Sequence, residues 1–439
     1  MKKYFVFLLI LASILVKAEA LDLKESIKVA VKQNPTVIAS QKKAAAAGAR
    51  LNQALSTFFP TVNLSGNYDQ AYSSPTNVQI TTQTTTGAVT QNIAIGTDAA
   101  ATVSSLQAAL SQPVFVASLF PSYGIARKGA ESASEDLQQT IINTYFDVTQ
   151  TYFGVLLALK LEVLMEESLA MANSHLAQVQ SMLNAGMATK ADYLRSKVRS
   201  ANANVDLIKS KYNIAISKDA FNNAMGYNQK QSVDLKDEGF SGKVSNLPEY
   251  DTLLEIAYVN RPDWKMYLLS TGIKEDQVRL SQSEYLPSIM LSANSGSQST
   301  KYPTFQSDVS SWKVAGVGSW KLFDSLGREN RVKEASENLS AQQANVQQLK
   351  NDIDQEVHDA YLNLKSALDT VDSTKQAVES AEESYKVTTA RYNSGMGTNT
   401  DVLDSQVDLT QAETAYLQAL FEVEIARARI NKSVGKAVI

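Results

Sequence analysis

The chain has 439 residues and a formal net charge of −4, so no basic excess is available to bind a phosphate backbone and no nucleic-acid partner is expected. It contains no cysteine, which excludes disulfides, thiolate metal sites, cysteine nucleophiles and a lipid on an N-terminal cysteine. Glycine at 19 and proline at 9 are few for this length, and long helices are therefore expected to dominate.

Residues 1–20 have the pattern of a signal peptide. Two lysines precede an apolar run from Tyr4 to Val16, and Ala18 and Ala20 place small residues where a signal peptidase cleaves. The run is shorter than the roughly 20 apolar residues that span a bilayer. The mature chain is expected to start at Leu21, to be exported, and not to be held in a membrane by a helix.

After the leader, the chain consists of two copies of one plan. Residues 183–194 match residues 392–403 at an offset of 209, which also pairs their flanking segments without a gap. Residues 58–60, Phe-Phe-Pro, match residues 285–287, Tyr-Leu-Pro, at an offset of 227. The first copy therefore carries a longer loop. Duplication on this scale dictates the architecture, and both copies are expected to fold alike.

Each copy should contain two long helices, because glycine and proline are scarce over these segments. The first repeat is predicted at 21–226, with long helices at about 122–184 and 190–224. An equatorial linker follows at 227–248. The second repeat is predicted at 249–439, with long helices at about 326–393 and 399–434. A helix of ~60 to 65 residues is a rod of roughly 90 to 100 Å.

Apolar residues recur every seven positions along the second repeat's first long helix. The series runs from Val332 to Ile353 and, after a step of four, from Val357 to Tyr392. Heptads produce a left-handed coiled coil, which a four-residue stutter locally unwinds. Two zones of different supercoil are expected on one rod. The alternative is a plain helical hairpin packed on a globular core, for which the chain offers few apolar segments.

Four segments alternate with a period of two, the pattern of β-strands. They lie at about 61–72, 101–115, 287–299 and 309–323. Each has one apolar face, and aromatic residues near the strand ends predict the girdle of a lipid-facing barrel. The girdle residues are Tyr68, Phe115, Trp312 and Trp320. The alternative is a soluble antiparallel sheet lying on the helices.

The segment from Ser73 to Asn92 is unusually polar. Of its 20 residues, 14 are Ser, Thr, Asn or Gln, so it cannot form a core. A solvated external loop is predicted there, which favours the barrel over the soluble sheet.

Four strands cannot close a barrel, and open sheet edges do not persist in lipid. Several copies of the chain must therefore share one barrel. Two copies give eight strands and an interior filled by side chains, whereas three give 12 strands and leave a lumen. A homotrimer is therefore predicted.

In these features the chain resembles the TolC family of outer-membrane efflux and secretion channels, over the whole mature length. The resemblance is most specific at the helix tips, 184–192 and 393–404. It implies a mixed, mainly α fold: a homotrimer with a 12-stranded transmembrane β-barrel in the outer membrane and a 12-helix tunnel through the periplasm. The segment 227–248 then corresponds to an irregular belt around the tunnel. The implied partners are outer-membrane lipid, a periplasmic adaptor and an inner-membrane pump of RND or ABC type.

The resemblance also implies a carboxylate constriction at the periplasmic mouth. Asp401 and Asp404 share a helix face, and Asp192 is their counterpart in the first copy. Like charges in such a ring would raise the pKa of some members. Tyr392 matches a family tyrosine, and Arg195 is a candidate ion-pair partner. The alternative for an Asp-x-x-Asp pair is a solvated helix face.

Adaptor docking is expected at the two tips. The residues are Gly186, Met187, Ala188, Thr189, Gly395, Met396, Gly397 and Thr398. Family members often carry an arginine at the position of Gly397, so a less tightly tied mouth is expected here. The alternative is that the tip glycines merely end their helices.

No enzyme is predicted, since phosphate-loop, HExxH and GxSxG motifs are absent. His175 and His358 fall in different copies and are predicted to be surface residues, and no catalytic residue, metal or cofactor is expected. The predicted function is the exit duct of a tripartite efflux or type I secretion system. A soluble periplasmic coiled-coil adaptor is the alternative. The sequence does not distinguish drugs, metals and proteins as substrate.

Overall fold

The computed structural model describes residues 21–85, 87–95, 99–228, 234–236, 239, 240, 242, 244 and 247–438. The predicted signal peptide lies outside these residues. The elements in chain order are α1 (Leu23–Gln33), α2 (Pro35–Ser56), β1 (Thr61–Ser73), β2 (Thr76–Thr84), β3 (Gly87–Ile95), β4 (Ala99–Phe115), α3 (Leu119–Asn184), α4 (Lys190–Met225), α5 (Tyr250–Asn260), α6 (Pro262–Ser283), β5 (Ser288–Lys301), β6 (Gln306–Ser319), α7 (Gly327–Asn393) and α8 (Asn399–Ser433).

The duplication is visible in the lengths of the helices. Both copies begin with helices of 11 and 22 residues, the longer of which starts with a proline in each case. Proline is favoured at the first helical position because its missing N–H would have no partner there. The long helices have 66 and 36 residues in the first copy and 67 and 35 in the second. The mainly helical fold with a four-stranded sheet is confirmed.

Within the described part of the chain, no helix is both long enough and apolar enough to cross a bilayer. The chain divides into two compact units, and each unit takes segments from both repeats. The first unit consists of Met1–Ala45, Ser132–Leu268 and Asn345–Ile439, and the second of Ala46–Glu131 and Leu269–Ala344.

The second unit contains a four-stranded antiparallel sheet in the order β1-β4-β5-β6. Leu64 pairs with Ala108, Ala108 with Ser295, and Ser295 with Trp312, so these residues lie at one level on one face. Residues directly opposite each other in a sheet share a face. The predicted apolar face therefore lies on one side of all four strands, where Val62, Leu110, Ala293 and Val314 form one row, and it is interrupted by the polar Ser295 of β5. Its exposed side chains include Tyr68 at 78% and Trp312 at 79%.

Two of the four predicted girdle residues, Phe115 and Trp320, lie at strand ends, and the other two do not. Tyr68 is the eighth of the 13 residues of β1. Trp312 lies in the middle of the 14-residue strand β6 and not near its end. Trp320 follows the last residue of β6, and its indole N–H donates to the Tyr285 carbonyl at 3.0 Å. Phe115 is the last residue of β4, as the alternating pattern predicts.

The polar tract after β1, predicted to be a solvated external loop, is exposed and forms a β-hairpin. Strands β2 and β3 pair antiparallel over nine residues each, with Thr81 opposite Thr90. Val78 lies opposite Ile93, so the ribbon carries apolar residues on one face. Threonine and valine favour extended backbone, and this preference outweighs the lack of a core.

The core of the first unit lies where the short helices pack on the long ones. In the first copy Val148, Tyr152 and Phe221 are fully buried together with Ala30 of α1. In the second copy the buried cluster includes the following residues: Leu253, Val357, Leu364, Val423 and Ile430. Along α7 the predicted heptad positions are buried or half-buried. The change of supercoil at the stutter stays a prediction.

Candidate site at the helix tips

Each tip begins where a long helix ends at a glycine. Gly186 has φ 76° and Gly395 has φ 72°. The amide of the residue after each glycine donates to the carbonyl five positions earlier, at 2.8 and 2.9 Å respectively. This is the six-to-one bond of a Schellman motif, which requires left-handed backbone at the glycine. A Cβ at either glycine would meet no atom within 4 Å, so backbone conformation and not space demands glycine here.

The next helix of each tip begins with a capping box. In the first tip the Asp192 amide donates to Thr189 Oγ1 at 3.1 Å, and the Thr189 amide donates to Asp192 Oδ2 at 3.2 Å. In the second tip the corresponding distances between Thr398 and Asp401 are 3.2 and 3.0 Å. Two amides at each helix start are satisfied in this way. The Thr-x-x-Asp pattern was visible in the sequence, but the threonines were assigned to docking and the aspartates to the mouth, and the capping role of the pair was missed.

The capping box also sets the charge state of Asp401. Hydrogen bonds from the Thr398 backbone and side chain lower the pKa of Asp401 below its usual 3.8, and the positive charge of Arg391 lowers it further. Repulsion within a ring was expected to raise the pKa of some ring carboxyls. Within one chain the Asp401 pKa moves the other way. Because the folded pKa is depressed, this contribution to the start of α8 is present above pH 3.8 and is lost as the pH falls through the lowered pKa.

The remaining predicted mouth residues lie close to the same turn. Asp404 is exposed on α8, one turn after Asp401. Tyr392 is buried, and its pKa is raised by burial and by the negative charge of Asp192. Arg195 extends from α4 to the second tip, where its Nη1 donates to Thr400 Oγ1 at 2.9 Å. The first tip therefore contacts the first residues of α8 directly.

Gly397 lies in a tight turn next to Arg391. A Cβ at Gly397 would come within 3.0 Å of the Tyr392 amide nitrogen and 3.2 Å of Arg391 Cβ, so a larger residue would displace the turn. The Arg391 guanidinium reaches this turn and donates to the Met396 carbonyl at 3.4 Å. A positive charge therefore lies near Asp401, although it comes from the end of α7, a position that sequence reasoning missed.

His175 is 4% exposed, so the prediction of a surface histidine was wrong for this residue, whereas His358 is exposed. The Nε2 atom of His175 lies 2.7 Å from Oδ1 of Asn399, the first residue of α8. Ser196 Oγ of α4 lies 3.1 Å from the same oxygen. Asn399 and Ser196 were missed because neither belongs to a recognisable motif.

The predicted docking residues form the outer surface of the two tips. Met187 is 74% exposed and Met396 is 70% exposed. The other predicted docking residues are exposed or half-buried: Gly186, Ala188, Thr189, Gly395, Gly397 and Thr398. Each tip therefore presents one large flexible apolar side chain among small residues. Among the described residues, no group of three or more His, Asp or Glu side chains is placed to hold a metal ion.

Comparisons with known proteins agree with this architecture. A sequence profile of the family described as "Outer membrane efflux protein" matches residues 26–227 and 253–436. Outer membrane protein TolC of Escherichia coli K12 is 23% identical over 417 residues, covering 92% of this chain and 80% of the relative. Outer membrane efflux protein BepC of Brucella suis is 21% identical and covers 69% of this chain and 65% of its own.

Solved structures show the same fold. The Campylobacter jejuni CmeC outer membrane channel has a TM-score of 0.78 at 17% identity, covering 94% of this chain and 86% of that chain. The outer membrane protein VceC of Vibrio cholerae has a TM-score of 0.78 at 16% identity, and the match covers 94% of this chain and 96% of that chain.

Proposed function

The chain belongs to the outer membrane efflux protein family and is an outer-membrane channel of tripartite export systems, and we propose that three copies form its conducting unit. The family assignment sets the alternative of a soluble adaptor aside. The single observation that carries the trimer is the open sheet. Strands β1 and β6 are its two edges, and its apolar face is exposed across four strands. In lipid such edges must pair, and three copies would close a barrel of 12 strands with a lumen.

The tips are the proposed docking surface for a periplasmic adaptor, with an inner-membrane pump of RND or ABC type behind it. TolC-family channels work with such adaptors and pumps. Support for docking at the tips comes from exposed Met187 and Met396, whose flexible side chains suit an apolar groove. Small residues on either side allow a second helical hairpin to approach closely.

Asp401 and Asp404 are proposed to line the periplasmic mouth. Both are exposed on one face of α8 in the isolated chain, where the three-fold copies could face each other. A ring of carboxylates attracts cations and is blocked by divalent ions. Arg195 and Asp192 are proposed to tie the first tip to this helix, and the Arg195 contact with Thr400 supports that role.

Cross-linking between sheet edges tests the trimer. Within one chain β1 and β6 are three strand spacings apart, about 14 Å, which exceeds the reach of a disulfide. The native chain has no cysteine, so Leu64→Cys can be combined with single cysteines at alternate positions of β6 without background. We expect a disulfide-linked ladder ending at three chains, and detergent-purified protein with three times the chain mass.

Each cysteine alone is the matched control and should give no ladder. A monomer by mass, or an intramolecular disulfide in the double variants, would contradict the shared barrel.

A further inference from the structure

A buried histidine joins three helices at the tips. His175 belongs to α3, Ser196 to α4 and Asn399 to the first turn of α8, and all three are buried. The His175 ring also packs against the Tyr392 ring of α7, with centroids 5.3 Å apart. This cluster therefore contacts all four helices of both tips.

The hydrogen bonds determine which nitrogen carries the proton of neutral His175. Asn399 Nδ2 donates to the Asp192 carbonyl at 3.3 Å, and a carbonyl can only accept. The amide therefore turns its oxygen toward the imidazole, at 2.7 Å from Nε2. Neutral His175 must then hold its proton on Nε2 and donate to Asn399.

A second proton would enter at Nδ1 and leave the Nε2–H bond to Asn399 in place, so the neutral form is favoured by burial of the ring and not by this bond. Burial lowers the pKa of His175 below 6.5, and the hydrogen bond to Asn399 offsets this only in part. The titratable and charged groups packed around this level of the described residues include Asp192, Tyr193 and Arg195 on α4, Tyr385, Arg391 and Tyr392 on α7, and Asp401 on α8. Asp192 and Asp401 are engaged in their capping boxes.

We propose that His175 is a positioning residue of the channel mouth, which as a neutral imidazole holds the α3–α4 tip to the start of α8 and on protonation releases it. Asp401 lies two residues after Asn399, so the contact also positions the mouth carboxylates. The proposal rests on the proposed location of the mouth at the tips.

The direction of the pH effect follows from linkage. An opened tip exposes the ring to water, where its pKa returns toward 6.5, so the open state binds a proton more readily than the closed state. The closed tip is therefore favoured above pH 6.5 and is progressively destabilised as the pH falls below it. This range lies well above the titration of Asp401, whose pKa is lowered below 3.8, which separates the histidine from that carboxylate.

The two histidines of the chain provide a matched pair of variants. His175→Gln keeps an N–H donor toward Asn399 but cannot be protonated, and His358→Gln removes the exposed histidine. Single trimers in planar bilayers would be acidified on the tip side from about pH 7.5 to about pH 5.5. We expect a several-fold rise in open-state conductance or occupancy for the native channel and for His358→Gln, and no rise for His175→Gln.

A His175→Gln channel that responds to acid like the native one would overturn the proposal, and so would a native channel whose conductance and tip amide protection are both unchanged in this range. Heat-sensitive trimer bands on gels establish that each variant is assembled.

Hydrogen exchange on the full-length trimer provides a readout that does not depend on conduction. We expect protection of the amides at the start of α8, corrected for intrinsic rates, to fall in acid in the native protein and to persist in His175→Gln. Unchanged protection in the native protein would contradict release of the tip by protonation of His175. Acid-dependent loss of protection without any change in conductance would support release of the tip by protonation of His175 and would count against a mouth at the tips. The two measurements therefore distinguish failure of this proposal from failure of the proposed mouth location.

Discussion

Efflux is expected to be lost when Gly186 and Gly395 are both replaced by leucine, while trimers still assemble and insert. Both glycines have φ near +75°, and a Cβ at either one points into open space. A leucine there would project from the tip surface and obstruct a docking hairpin. The measurement is export of a fluorescent efflux substrate by cells that carry the variant with a functional adaptor and pump, together with the amount of heat-sensitive trimer.

The alanine variants Gly186→Ala and Gly395→Ala are the matched control for backbone strain. Any L-residue with a Cβ at this φ destabilises the folded turn by roughly 1 to 2 kcal/mol, and this effect is the same for alanine and leucine. The difference between the two pairs therefore reports bulk at the tip. If the leucine pair retains full transport, docking takes place elsewhere. If the alanine pair loses transport equally, the glycines serve only to end their helices.

Most of the fold could be predicted from local sequence patterns. Alternation along β1 and β6 predicted the exposed apolar face because strand periodicity is a property of adjacent residues, and Leu64 and Trp312 do share that face. The hairpin β2–β3 was also signalled locally, by alternation around Val78 and Ile93, but its polar composition was given more weight. Composition excludes a core more reliably than it excludes extended backbone.

The partners at the tips were less predictable. The capping boxes follow a local Thr-x-x-Asp pattern and could have been found beside the aspartates that were chosen. The buried position of His175 could not have been found in this way, because it depends on packing against Asn399, 224 residues further along the chain. Arg391 is likewise brought near Asp401 by the shape of the turn around Gly397. Positions that depend on tertiary packing leave no periodic signal in a single sequence.

Cation preference and divalent block are expected to weaken when Asp401 and Asp404 are both replaced by asparagine. Asparagine is a better substitution than alanine, because its side-chain oxygen can still accept from the Thr398 amide at the start of α8. The variant therefore removes charge while keeping the helix start. Recordings in planar bilayers should show a roughly tenfold weaker block by divalent ions and a shift of the reversal potential toward non-selectivity.

Thr398→Ala is the complementary control, since it removes the hydroxyl that caps Asp401 and leaves both carboxylates in place. It should cost ~1 kcal/mol of local helix stability and leave selectivity nearly unchanged. The pH profile adds a further distinction. Because the Asp401 pKa is lowered, its contribution to selectivity should persist until the pH falls below 3.8, far from the range in which His175 titrates. A double asparagine channel with native selectivity and native divalent block would place the narrowest charged ring elsewhere along the lumen.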